Sequence, residues 1–220
     1  MDAVLDLVRV LFEPTAVFER VREKPRFLAP FLVLAAITIL VGALQLPYMK
    51  AALAQAPNMT PQQVATASKV LPFTLVFGPI FYCLFLLVGA LILWVSVSVL
   101  GGGAGGEAKY GTLLSVATYA SFSYALLQIV GVIVLTMRGT SSVTSMMDLQ
   151  PSLGLDLLAP DAKGFTLALL RGINPFTLYG LFLTATGVAV THRTSKATAY
   201  TAAAIQFVIS LLIGAALSRG

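Results

Sequence analysis

LPFTLVFGPIFYCLFLLVGALILWVSVSVL, residues 71–100, runs without one charged side chain. A helix rises about 1.5 Å per residue and roughly 20 apolar residues cross the hydrocarbon core of a bilayer, so this stretch spans with residues to spare. Similar runs recur at residues 28–49, 113–137, 173–191 and 198–217. Composition agrees: 58% of the 220 residues are hydrophobic and only 10% are charged, against about 25% charged in soluble domains. So few charges cannot cover a soluble fold, and lipid must meet much of the surface. The expected class is all-α: a polytopic integral membrane protein, a bundle of five transmembrane helices over residues 28–220. An amphipathic interfacial arm over 1–27 precedes it.

The arm reads as two short helices. Val4, Leu5, Val8, Leu11 and Phe12 recur at helical spacing, with Asp2, Asp6 and Arg9 assigned to other faces. After Glu13-Pro14 the pattern restarts with Val17, Phe18 and Val21. Pro14 suits a first helical turn, where its missing donor costs nothing, and Pro25 stops the second helix. Such helices lie in the membrane interface or dock on the protein's own bundle. Leu11, Phe12, Phe18 and the cluster Arg20, Arg22, Lys24 and Arg26 form the candidate interaction or lipid surface.

Gln45, Pro47 and Tyr48 mark the exit of the first span, and residues 50–69 read as a polar loop. Within it one short helix starts at Thr60, with Pro61 at its first position and Gln63 completing a capping box. Pro79 is expected to kink the second span, and Trp94 fits an interfacial anchor. Gly101 to Gly106 form a hinge; no Gly-Lys-Ser or Gly-Lys-Thr follows, so a phosphate loop is not indicated. The third span carries Tyr119, Ser121, Ser123, Tyr124 and Gln128, which are expected to face the bundle interior.

Residues 138–172 hold only short apolar pieces, read as interfacial or re-entrant helices. Asn174 then caps the fourth span, with Pro175 and Phe176 opening it. Gly180 and Gly187 permit close helix approach in that span. Ser210, Gly214 and Ser218 give the fifth a small-xxx-small pattern.

The charge pattern excludes several functions. The net charge of +5 is scattered between hydrophobic segments, which suits topology and anionic lipid rather than nucleic acid. The five spans contain no Asp, Glu, His, Lys or Arg, so neither a catalytic set nor an ion relay is read. Cys83 is the only cysteine and His192 the only histidine. No catalytic residue, metal ligand or cofactor site is expected. Basic residues near span ends favour the cytoplasm for the N-terminus, and five spans place the C-terminus outside.

The chain resembles the Yip1 domain family in its prokaryotic-type branch. The likeness lies in LFEPTAVFERVREKPRFLAPFLVL, in LILWVSVSVLGGGAGGEAKYGTLLSVATYASFSY and in INPFTLYGLFLTATGVAV. Pro14, Phe18, Pro25, Trp94, Asn174, Pro175 and Phe176 carry it and look like positioning residues. The resemblance implies a five-helix membrane domain with a cytosolic N-terminus. Eukaryotic relatives associate with Rab-type GTPases in vesicle traffic; the long polar extension before their membrane domain has no counterpart here. The resulting expectation is a non-catalytic interaction or scaffold component of the cell membrane, with lipid and other membrane proteins or a second copy as partners. The alternative is a small-solute transporter or an accessory subunit of a permease complex.

Overall fold

The structure, a computed structural model, describes residues 2–56, 59–101, 107–150 and 152–217. Among them every regular element is helical. The helices are α1 (Asp2–Arg9), α2 (Pro14–Glu23), α3 (Leu28–Ala54), α4 (Pro61–Val99), α5 (Tyr110–Ala120), α6 (Phe122–Arg138), α7 (Gly164–Gly172), α8 (Pro175–His192) and α9 (Lys196–Leu217). Short 3-10 turns at Thr140–Ser142, Met146–Leu149 and Leu155–Leu158 occupy the segment between α6 and α7.

Four helical stretches are long and apolar enough to cross a membrane: Leu28–Ala54, Pro61–Val99, Tyr110–Arg138 and Lys196–Leu217. The pair α7 and α8, bent by 57° at the break between them, makes a fifth if it counts as one span. Their outer faces are apolar, as lipid requires: Phe73, Phe77, Phe81 and Phe85 are exposed along α4. The chain is therefore a polytopic helical membrane protein.

The boundaries differ from expectation in three places. Helix α3 does not end near Tyr48 but continues to Ala54 with Pro47 inside it. The turns beyond the proline are held by packing, because Tyr48 and Ala52 are buried with Leu135 and Val143. Second, residues 61–69 are no separate loop helix: α4 is one helix of 39 residues that carries Pro72 and Pro79 in its interior. The expected capping box is present, with the Thr60 amide donating to Gln63 Oε1 at 2.8 Å and the Gln63 amide donating to Thr60 Oγ1 at 3.3 Å. It starts a helix that no stop signal ends before Gly101, whose φ of +102° suits glycine.

Third, the third span is broken between α5 and α6 at Ser121. Ser121 Oγ donates to the Thr118 carbonyl at 2.7 Å and Ser123 Oγ to the Ala120 carbonyl at 2.9 Å. Hydroxyls that take up helix carbonyls in this way compete with the backbone ladder and loosen it. The hinge glycines at 102–106 and Ser218 lie outside the described residues. At Gly214 nothing among the described residues lies within 4 Å of an added Cβ, so the close approach expected from the small-residue pattern is not seen there.

The chain divides into two compact units. One comprises Met1–Val33, Leu84–Tyr124 and Ser152–Gly220; the other comprises Leu34–Cys83 and Ala125–Pro151. In the second unit α3 and α4 approach at Gly42, where an added Cβ would lie 2.8 Å from Leu75. Gln55 Nε2 donates to the Val143 carbonyl at 2.9 Å and ties the end of α3 to the segment after α6.

That segment is closed by Asp148, whose Oδ2 accepts from the amides of Thr144 and Ser145, each at 2.8 Å, and from both hydroxyls. Partial burial opposes the charged form, but these hydrogen bonds outweigh it and hold the Asp148 pKa below its ordinary value. A carboxylate whose pKa falls on folding contributes stability above its unfolded value, about 3.9. That contribution disappears as pH falls through the lower, folded value. Hydrogen-exchange protection at Thr144 and Ser145 is expected to drop below about pH 4. In Asp148→Ala it should be low at every pH; equal protection in both proteins would refute the assignment.

Candidate functional site

The first unit is built around an arm clamped to two helices. On α2, Val17, Phe18 and Val21 are fully buried or nearly so. Phe18 reaches α8 at Gly187: an added Cβ there would lie 3.0 Å from the Phe18 ring and 2.5 Å from Val116 of α5. Three helices thus meet where only a hydrogen fits. One face of α8 makes a second close approach, with Gly180 against Ser123 Oγ at 2.6 Å from an added Cβ.

Hydrogen bonds fix the depth of the arm. Arg22 Nη1 donates to the Val190 carbonyl at 3.4 Å, and the Tyr179 hydroxyl donates to the Leu11 carbonyl at 2.5 Å. Val190 and Tyr179 lie eleven residues apart on α8, about 16 Å along a helix axis. The arm therefore runs alongside α8 and does not lie flat across its end. The Tyr119 hydroxyl of α5 donates to the Ala3 carbonyl at 3.2 Å and holds the start of α1.

Helix α1 has two apolar faces, one turned to the bundle and one turned outward. Ala3, Asp6, Leu7 and Val10 are buried. The stripe Val4, Leu5, Val8 and Phe12 faces outward, with Phe12 79% exposed. Asp6 belongs to the inward face because Arg20 meets it there, donating from Nη2 at 2.6 Å and from Nε at 3.1 Å. This pair locks α1 to α2.

At the end of α8, His192 is buried. Its Nε2 accepts from the Lys109 amide at 3.2 Å, and Nδ1 lies 2.8 Å from Thr191 Oγ1. An accepting Nε2 places the ring proton on Nδ1. The contact pins the start of α5 to the end of α8. Nearby, Trp94 Nε1 donates to the Ala108 carbonyl at 2.9 Å, so Trp94 anchors the chain that leads into α5.

The α7–α8 joint is a second polar assembly. Asp156 is 1% exposed and Arg171 is 18% exposed; Arg171 Nε donates to Asp156 Oδ2 at 3.1 Å. Asp156 Oδ1 accepts from the Gly154 amide at 3.1 Å. Gly154 packs directly on the end of α7, where an added Cβ would lie 2.7 Å from the Ile173 carbonyl and 2.9 Å from the Leu170 carbonyl. Asn174 Oδ1 accepts from the amides of Phe176 and Thr177, and its Nδ2 donates to the Arg171 carbonyl at 2.9 Å. These bonds satisfy the broken backbone at the bend.

The sequence-derived candidates are thus dispersed. Phe18 is core and is no surface residue. Leu11 is half-buried; Phe12, Arg20, Lys24 and Arg26 are exposed and Arg22 is intermediate. Pro14 opens α2, Pro175 opens α8 and Phe176 is half-buried beside it. Pro25 follows the end of α2. Tyr119 is buried as expected, Gln128 is half-buried in the second unit, and Tyr124 is exposed instead of facing the interior. Sequence reasoning missed Asp6, Lys109, Asp156, Arg171 and Tyr179. An acid flush with Ala3, Leu7 and Val10 was the available signal for Asp6. Among the described residues no group of three or more His, Cys, Asp or Glu could hold a metal ion.

Comparison with known proteins matches the Yip1 domain over residues 8–218. The chain is also similar to membrane protein YknW of Bacillus subtilis (strain 168), 28% identical over 209 residues that cover 91% of this chain and 84% of the relative. No solved structure matches.

Proposed function

Because the chain belongs to the Yip1 domain family, we propose that it acts as a non-catalytic interaction component of the membrane, with the arm as its contact element. The N-terminus lies in the cytoplasm in this reading and the C-terminus on the far side. The outward stripe of α1 carries the proposal. A short helix fastened by Asp6, Leu7 and Val10 still presents Val4, Leu5, Val8 and Phe12, an apolar face that needs a cover. A helix of another membrane protein, or of a second copy, can lay its own apolar face on that stripe.

Photocrosslinkers placed at Val4, Val8 and Phe12 in intact membranes test this. A defined protein adduct at these positions, weakened by Phe12→Ser, supports the reading. Lipid adducts alone at all three positions would overturn it. A transport reading draws on a different observation, the 57° bend between α7 and α8 beside a buried ion pair. Broken helices of this type line solute sites in transporters. Solute flux in proteoliposomes that is lost in Asp156→Asn would favour it.

A further inference from the structure

One end of the first unit gathers positive charge from three separated segments of chain. Arg22 reaches the Val190 carbonyl of α8, and Lys24 and Arg26 follow it. The Lys109 amide meets His192 at 3.2 Å, which brings the start of α5 to the same place. Arg193 and Lys196 occupy the turn that leads from α8 into α9. Arg22, Lys109, Arg193 and Lys196 therefore share this end. Lys24, Arg26, Lys109, Arg193 and Lys196 form no ion pair among the described residues.

Two further features set this end apart from a rim that serves topology alone. Arg193 is the one non-glycine among the described residues with a positive φ, +49°, where it terminates α8. Glycine or asparagine adopts that conformation at lower cost, so the arginine is kept against local preference. The next residue, Thr194, has a buried hydroxyl with no hydrogen-bond partner among the described residues. Buried hydroxyls are normally satisfied, so this one stands out among the described residues.

We propose that this end binds the phosphate headgroup of an anionic phospholipid. The guanidinium of Arg193 offers paired donors that suit a phosphate. Lys109 and Lys196 add point charges. Positive residues near span ends face the cytoplasm, and the cytoplasmic leaflet carries anionic lipid. The site is independent of whatever covers the outward stripe of α1.

The test is native mass spectrometry of the full chain in detergent with phosphatidylglycerol or phosphatidylcholine added. Phosphatidylglycerol should be retained in preference to phosphatidylcholine. Each removed cation should weaken retention about fivefold. The informative variant is Arg193→Gly with Lys196→Gln, because glycine relieves the positive φ and thermal unfolding should not fall. The control is Lys50→Gln with Lys69→Gln in the second unit, which should bind as wild type does. Equal retention of the two lipids, or undiminished phosphatidylglycerol binding in the Arg193 and Lys196 variant, overturns the proposal. Full displacement by millimolar inorganic phosphate also overturns it, since the site would then take free phosphate rather than lipid.

Discussion

Asp156→Ala is expected to destabilise the first unit by about 3–5 kcal/mol, the usual cost of removing one partner from a buried ion pair. The side chain is 1% exposed and receives both Arg171 Nε and the Gly154 amide. Its loss leaves a largely buried guanidinium without this carboxylate and frees an amide on the end of α7. The bend between α7 and α8 should then lose its lock. Thermal unfolding in detergent measures the cost. The reciprocal exchange, Asp156→Arg with Arg171→Asp, restores charge balance but not the Gly154 bond and should recover only part of the loss. A single alanine substitution without measurable effect would mean that the pair is solvated and does not organise the joint.

Gly187→Val is the second large effect. Even a bare Cβ at this position would lie 2.5 Å from Val116 Cγ1 and 3.0 Å from the ring of fully buried Phe18. Overpacking a filled core typically costs about 1–3 kcal/mol; here the β-branched side chain also displaces α2. The arm is the one of the three elements that can leave, because α5 and α8 are held by their own helical continuations. The expected result is a lowered thermal midpoint together with protease cleavage within residues 13–27. Gly214→Ala is the matched control. An added Cβ there meets nothing within 4 Å, and alanine favours a helix over glycine by about 1 kcal/mol. If Gly187→Val leaves the arm protected, the three-helix contact is not what holds it.

Local features were legible before the fold was known. Asn174-Pro175 caps α8, and Thr60 with Gln63 caps α4. A cap is made by residues within three positions of each other, so sequence spacing suffices. Helix length was less legible. Pro47, Pro72 and Pro79 sit inside helices, since packing and the scarcity of competing water in lipid outweigh a missing donor. Which face of α1 meets the bundle was not legible because both of its sides are apolar, and periodicity does not choose between two candidate stripes. Asp156 and Arg171, fifteen residues apart, follow no helical or strand spacing, so their pairing gave no sequence signal.

The solvent and the class follow from composition alone: long uncharged runs make lipid the medium and helices the only way to satisfy their backbone. The sequence also determined where α8 begins, because the cap is written in adjacent residues. The seat of the arm is set instead by contacts between distant helices. Tyr119 meets Ala3 across 116 positions, and Arg22 and Tyr179 each make their contact across 168. Contacts at such separations depend on which helices pack together, and no local pattern encodes that. The same packing turned one apolar face of α1 outward and gathered Arg22, Lys109 and Arg193 at one end.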